Sequence, residues 1–79
     1  NPRTSILFDL PQAGPVRLVI FDLAGRLVST LVQDDLAAGS HDVVWNGTDN
    51  SGRSAPSGSY FARLEVRGKI ETVQMSLIR

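Results

Sequence analysis

Apolar and polar residues alternate with a period of two along most of this chain, which is the spacing of a half-buried β-strand. The first alternating segment ends at Pro11, and a second follows it after a short polar stretch. The apolar positions of these two segments are Ile6, Phe8, Leu10, Val16, Leu18 and Ile20. Because alternate side chains of a strand point to opposite faces, each segment predicts a strand with one face in a core.

The residues Asp22-Leu23-Ala24-Gly25 separate the second segment from a third. Asp in the first position and Gly in the fourth suit a type I turn whose Gly takes a left-handed conformation. Residues 26–32 are rich in Leu and Val and predict a third strand, although their alternation is less regular. A helix over residues 26–36 is the open alternative, and the β-branched content together with the preceding hairpin turn favours the strand.

The middle of the chain contains one short strand and one long loop. Residues 37–40 predict a turn, and residues 41–46 predict a strand that carries Val43, Val44 and Trp45. Residues 47–58 contain three Gly, one Pro and several Ser, Asn and Asp residues, so they predict the long loop.

The last third of the chain predicts a hairpin. The pair Gly68-Lys69 fits a two-residue turn with Gly in the first central position. This turn would oppose Arg67 to Ile70, and its inner face would follow from that register. The predicted apolar pairs are Leu64–Val73, Ala62–Met75 and Tyr60–Leu77. Six or seven short strands with frequent turns predict one domain, residues 1–79, with an all-β, antiparallel, immunoglobulin-like sandwich fold.

Composition and charge narrow the functional classes. The formal net charge is zero, without the basic excess of a nucleic-acid module or the polybasic stripe of a membrane-surface module. The apolar stretch 16–23 is interrupted by Arg17 and Asp22 and is too short to span a bilayer. The absence of cysteine excludes disulfides and thiolate metal sites. We expect no nucleic acid, no membrane insertion and no cofactor.

The ordered motifs of the chain resemble a widespread bacterial module. They are Thr4-x-Ile6-x-Phe8-x-Leu10-Pro11, Val16-x-Leu18-x-Ile20-Phe21-Asp22-x-x-Gly25-Arg26-x-Val28, Leu36-x-x-Gly39-x-His41-x-Val43-x-Trp45-Asn46-Gly47-Thr48-Asp49, and Pro56-Ser57-Gly58-x-Tyr60-Phe61. The series is similar to the immunoglobulin-like domain of FlgD-type flagellar hook-capping proteins. Gly52 and the ending Met75-x-Leu77-Ile78-Arg79 match as well. The series also resembles the closely similar C-terminal sorting domain of type IX secretion cargo, and the likeness covers essentially the whole chain.

The resemblance implies the C-terminal module of a larger bacterial protein. Our leading hypothesis is a role in sorting, secretion or surface attachment. We then expect the module to be exported through the periplasm to the outer-membrane surface or the extracellular space. Its partners would be the preceding domain and the secretion or attachment machinery. The alternatives are a structural assembly domain, as in hook-capping proteins, and a carbohydrate-binding module of a secreted glycosidase.

Two groups of residues follow from this hypothesis. The first is the candidate sorting or interaction strand, since a terminal strand can be recognised by strand addition. Its residues are Lys69, Thr72, Met75, Leu77, Ile78 and Arg79. The second is the structural signature, whose residues are Gly25, Gly39, His41, Trp45, Gly47, Gly52, Gly58 and Tyr60.

No catalytic constellation is indicated by the sequence. His41 lies between Ser40 and Asp42, but neighbours in a strand point to opposite faces, so we expect His41 to pack at the sandwich rim near Trp45. The pair Asp34-Asp35 is interpreted as a surface turn. We therefore predict that the chain is not an enzyme.

Two candidate binding features have structural explanations. The loop 46–52 offers oxygen ligands, but it holds one carboxylate and no Glu, so turn formation explains it better than calcium binding. Most aromatic rings fall on predicted core faces. Phe21 and Phe61 remain as outward rings that could stack on a sugar or rest against a neighbouring domain.

Overall fold

A computed structural model describes residues 3–78, which form six strands joined by turns and loops. The strands are β1 (Thr4–Leu10), β2 (Gly14–Asp22), β3 (Leu27–Leu36), β4 (Gly39–Trp45), β5 (Gly58–Val66) and β6 (Lys69–Leu77). Every strand pair is antiparallel. The all-β class is therefore confirmed, and segment 26–36 is a strand within the described chain rather than a helix.

The strands form two sheets of unequal width. β1 and β4 make a two-stranded sheet, and β3, β2, β5 and β6 lie in that order in a four-stranded sheet. The pair Asp34-Asp35 lies in β3 and not in a turn, although both residues are exposed as expected. The error arose because the strand continues past its apolar residues while it still pairs with β2.

The core lies between the two sheets. Leu18, Ile20 and Trp45 are almost completely buried, and Trp45 packs edge-to-face against Tyr60 with ring centroids 5.0 Å apart. The alternating residues of β1 and β4 cover this cluster from the other side. Burial of these side chains is the main favourable term in the folding of a domain this small.

The predicted register of the last hairpin is wrong by two residues. Ala62 lies opposite Val73, and Tyr60 lies opposite Met75. The reason is the turn, which consists of Arg67 and Gly68 with φ angles of 50° and 77°. A two-residue type I′ turn requires positive φ at both central positions, and an arginine there is not expected. Because the shift is even, each side chain keeps its predicted face.

Candidate functional site

One end of the sandwich is built from two turns with the same sequence pattern, Asp-x-x-Gly-Arg, at residues 22–26 and 49–53. In the first turn, Asp22 Oδ1 accepts hydrogen bonds from the backbone N–H groups of Ala24 and Arg26, each at 2.9 Å. The Gly25 N–H donates to the Asp22 carbonyl at 3.0 Å. Gly25 has a φ angle of 81°, which only glycine adopts at little steric cost.

The second turn repeats this network atom for atom. Asp49 Oδ1 accepts from the N–H groups of Ser51 and Arg53, at 2.9 and 3.0 Å. The Gly52 N–H donates to the Asp49 carbonyl at 3.0 Å, and the φ angle of Gly52 is 85°. The relation is visible in the sequence as DLAGR and DNSGR, but the periodicity of apolar residues does not point to it.

The charge of the first turn is stabilised by its own backbone. The hydrogen bond from the Arg26 N–H lowers the pKa of Asp22 below its ordinary 3.8. The guanidinium of Arg26 contributes to the same lowering of the pKa, with Nε at 3.3 Å from Asp22 Oδ2. An ionised Asp22 therefore serves to fix the turn.

The long loop is attached to the core by two aromatic side chains. Trp45 Nε1 donates to the Thr48 carbonyl at 2.9 Å, and the Tyr60 hydroxyl donates to the Pro56 carbonyl at 2.5 Å. A buried tyrosine that bonds to the backbone a few residues upstream is similar to the tyrosine corner of immunoglobulin-like sandwiches. Trp45 and Tyr60 are thus structural.

A shallow recess of about 550 Å³ lies between the two turns and the segment 54–60. Its two carboxylates already stabilise the turns, since Asp22 and Asp49 each accept two backbone hydrogen bonds. Within residues 3–78, no three His, Cys, Asp or Glu side chains are grouped as metal ligands.

His41 lies against Phe8 and not near Trp45 as expected. The two rings stack with centroids 5.4 Å apart, because His41 and Phe8 are directly opposite in the β1–β4 ladder. His41 Nε2 is 2.7 Å from the Ala37 carbonyl oxygen, so that nitrogen is the donor. Ser40, on the other face, donates its hydroxyl to Asp9 and not to His41, so the neighbours Ser40, His41 and Asp42 do not form a Ser-His-Asp arrangement.

The outer face of the four-stranded sheet carries an ion-pair network around two aromatic rings. Glu65 Oε2 accepts from Arg17 Nη1 at 2.8 Å and from Arg63 Nη2 at 2.9 Å. The Arg63 guanidinium lies 5.0 Å from the centroid of the Phe21 ring, and Phe61 is the cross-strand partner of Phe21. A guanidinium over Phe21 blocks sugar stacking on that ring. Packing of a neighbouring domain on this face stays a prediction.

The candidate interaction strand coincides with β6, which lies at the edge of the four-stranded sheet. Its residues have different environments. Lys69 and Thr72 are exposed, Met75 is half-buried, Leu77 is 2% exposed and Ile78 is 81% exposed. Arg79 lies outside the described residues. Met75 and Leu77 therefore belong to the core, and only the backbone edge and the other side chains are available to a partner.

The remaining signature residues are glycines at bends. Gly39 and Gly47 have φ angles of 118° and 78°, and Gly58 begins β5. Residues 3–78 contain no helix that is long and apolar enough to cross a membrane.

The same motifs and the same fold occur in known proteins. The family model described as the FlgD Ig-like domain matches residues 3–69. The chain belongs to the FlgD Ig-like domain family. A crystal structure of FLGD from P. aeruginosa resembles this domain with a TM-score of 0.69 and 29% identity, over 95% of this chain and 59% of that chain.

Two relatives are basal-body rod modification proteins named FlgD. The protein of Escherichia coli K12 is 42% identical over 66% of this chain, and that of Salmonella typhimurium LT2 is 42% identical over 61%. The matched regions are 23% and 21% of those two proteins, so this domain corresponds to less than a quarter of each.

These similarities change two expectations. The predicted extracellular or outer-membrane-surface location is wrong, because the FlgD relatives are basal-body rod modification proteins and not surface proteins. The comparisons also favour the flagellar assembly alternative over the sorting hypothesis, which they do not support. Sequence reasoning ranked these two in the wrong order because both families share the motifs that carried the resemblance.

Proposed function

We propose that this domain is a non-catalytic structural module of a FlgD-type protein that acts in the assembly of the flagellar hook and rod. The observation that carries the proposal is the similarity of 95% of the chain to FLGD of P. aeruginosa, at 29% identity. The family match over residues 3–69 supports it independently.

The environment of the polar side chains supports the same function. Asp22 and Asp49 accept the hydrogen bonds of their own turns, and Glu65 bridges two arginines. These groups make a rigid scaffold. An assembly module needs such rigidity, because it holds neighbouring parts at a fixed spacing.

A chimera tests the proposal. The aligned segment of E. coli FlgD would be replaced by residues 3–78 of this chain, and the hybrid would be expressed in a strain that lacks its own FlgD. We expect the hybrid to restore hooks, seen by electron microscopy, and swarming motility. A second hybrid that carries an unrelated β-sandwich of similar size is the control and should restore neither.

The negative result is also informative. If the hybrid accumulates to the native level, resists proteolysis like native FlgD and still produces no hooks, the assembly function is wrong for this domain. The Leu18→Ala version of the hybrid calibrates the proteolysis assay, because Leu18 is fully buried and its truncation destabilises the fold.

A further inference from the structure

The free edge of β6 is not covered by any other described strand. β6 pairs with β5 over all nine of its residues without a bulge, and no other described strand pairs with it. Its residues from Lys69 to Gln74 are all exposed. A long, regular edge strand presents unpaired N–H and C=O groups that another strand can bind.

The opposite edge of the same sheet is protected. β3 has two irregularities in its pairing with β2. Asn50 also covers part of its backbone, because the Asn50 N–H donates to the Val28 carbonyl at 2.9 Å and Asn50 Oδ1 accepts from the Thr30 N–H at 2.8 Å. Bulges and covering loops are the usual means by which proteins prevent edge pairing. β6 has neither.

The hairpin turn determines which groups of β6 point outward. Val66 and Lys69 close the two-residue turn as a hydrogen-bonded pair. Because hydrogen-bonded and non-hydrogen-bonded pairs alternate, alternate residues of β6 starting with Ile70 direct their N–H and C=O groups away from β5. These residues are Ile70, Thr72, Gln74 and Ser76.

Val73 is an inward-facing apolar residue of β6 that the rest of the domain leaves largely uncovered. It faces inward, since it lies opposite Ala62, which is 4% exposed. Val73 itself is 62% exposed, because the two-stranded sheet does not extend over this part of β6. Val73 is also the central residue of the nine-residue strand.

We propose that the chain pairs with a second copy of itself through β6, antiparallel and around a twofold axis at Val73. The two sheets would join into one, with four strands from each copy. The cross-strand pairs, with the second residue on the second copy, would be Lys69–Leu77, Ile70–Ser76, Glu71–Met75, Thr72–Gln74 and Val73–Val73. All four outward-facing residues then exchange hydrogen bonds with outward-facing residues of the second copy.

Self-complementarity identifies the partner as a second copy. This register is the one that overlaps all nine residues, opposes no like charges and places the two exposed Val73 side chains against each other. A register shifted to centre on Glu71 would set two carboxylates face to face and lose overlap. The inference extends the proposed assembly function, but it rests on strand geometry and would survive if the flagellar function failed.

Sedimentation velocity of the full chain tests the pairing. We expect the average mass to rise from monomer to dimer over about a hundredfold range of concentration. The variant Val73→Lys should remain monomeric throughout, because it opposes two ammonium groups at the axis. The matched control, Leu7→Lys, adds the same charge at an exposed apolar residue of β1 and should dimerise like the native chain.

Two results would overturn the proposal. One is a native chain that stays monomeric at every concentration, and the other is a Val73→Lys variant that dimerises as the native chain does. The fluorescence and near-ultraviolet circular dichroism of Trp45 would verify that each variant is folded.

Hydrogen exchange on the native chain provides a measurement that needs no variant. The amides of Ile70, Thr72, Gln74 and Ser76 should exchange more slowly as the protein concentration rises. The amides of Glu71, Val73 and Met75 point to β5 and should be slow at every concentration. Dimerisation without this alternating pattern would place the interface elsewhere and would equally refute pairing through β6.

Discussion

The carboxylates of this domain act as hydrogen-bond acceptors that organise backbone and arginines. The hydrogen bond from Arg63 lowers the pKa of Glu65 below its ordinary 4.5, and Arg17 adds to this lowering of the pKa. The Arg26 N–H does the same for the pKa of Asp22. Both groups are solvent-accessible, so their individual contributions to stability are modest. When ionised, Asp22 holds the first turn and Glu65 holds the two arginines on the sheet face.

Acid should therefore weaken the first turn. Because the pKa of Asp22 is lowered in the folded state, its contribution is complete above the unfolded value of 3.8 and is lost as pH falls through the folded value. We expect Asp22→Asn to be less stable than the native chain at neutral pH, with a difference that shrinks below pH 3.8. Urea unfolding at a series of pH values measures this difference.

The control for this experiment is Asp42→Asn. Asp42 is exposed on β4 and its side chain has no hydrogen bond within the described residues, so its substitution should leave stability unchanged. A difference between native chain and Asp22→Asn that stays constant through the acid range would contradict the role given to the ionised Asp22.

At the scale of elements, the residue types in the turns explain why two turns were predicted correctly and the register of the last hairpin was not. Asp22 and Gly25 predicted the first turn correctly, since Asp and Gly in these positions have a known geometry. Turn formation was also predicted for loop 46–52, and there Asp49 Oδ1 accepts two backbone hydrogen bonds and Gly52 has a positive φ angle. The last hairpin was misplaced because Arg67 adopts a left-handed conformation that arginine rarely takes.

This unusual conformation predicts a stabilising substitution. Arg67→Asn should raise the free energy of unfolding by about 0.5–1 kcal/mol, because asparagine tolerates positive φ in type I′ turns and arginine pays a steric penalty there. Thermal or urea unfolding measures the change. Arg67→Lys is the control for the lost hydrogen bond from Arg67 Nη2 to the Ala13 carbonyl, and it should not stabilise the domain. A loss of stability in Arg67→Asn equal to that in Arg67→Lys would show that the turn is unstrained.

At the scale of the whole molecule, periodicity was sufficient for the fold class and insufficient for the arrangement of strands. Alternation at Val16, Leu18 and Ile20 predicted a core face, and all three side chains are buried. Periodicity could not predict that β6 lies at an edge, because it carries no information about strand order. It could not predict that Val73 is exposed either, because that depends on how far the two-stranded sheet extends over β6. The structural function of Trp45 was predicted, but its contacts with Thr48 and Tyr60 needed coordinates.

The small core should make the fold sensitive to a single truncation. A chain of 79 residues is stabilised by roughly 4–12 kcal/mol in total. We expect Leu18→Ala to remove about 3 kcal/mol, because Leu18 is completely buried at the centre of β2. Leu7→Ala deletes the same atoms from a side chain that is 74% exposed and should change stability by less than about 0.5 kcal/mol. If urea unfolding showed the same loss of stability for both variants, the assignment of Leu18 to the core and of Leu7 to the surface would be wrong.

The position of the outermost strands determines how the domain would respond to mechanical load. Thr4 lies opposite Trp45, Trp45 contacts Tyr60, and Leu77 lies opposite Gly58 at the beginning of the same strand. The start of β1 and the end of β6 are therefore at the same end of the sandwich. A force that draws these two points apart acts across the ladders β1–β4 and β5–β6, so it would peel their hydrogen bonds one pair at a time. The domain would therefore keep its fixed shape in the absence of load and would yield gradually once tension is applied at these two points.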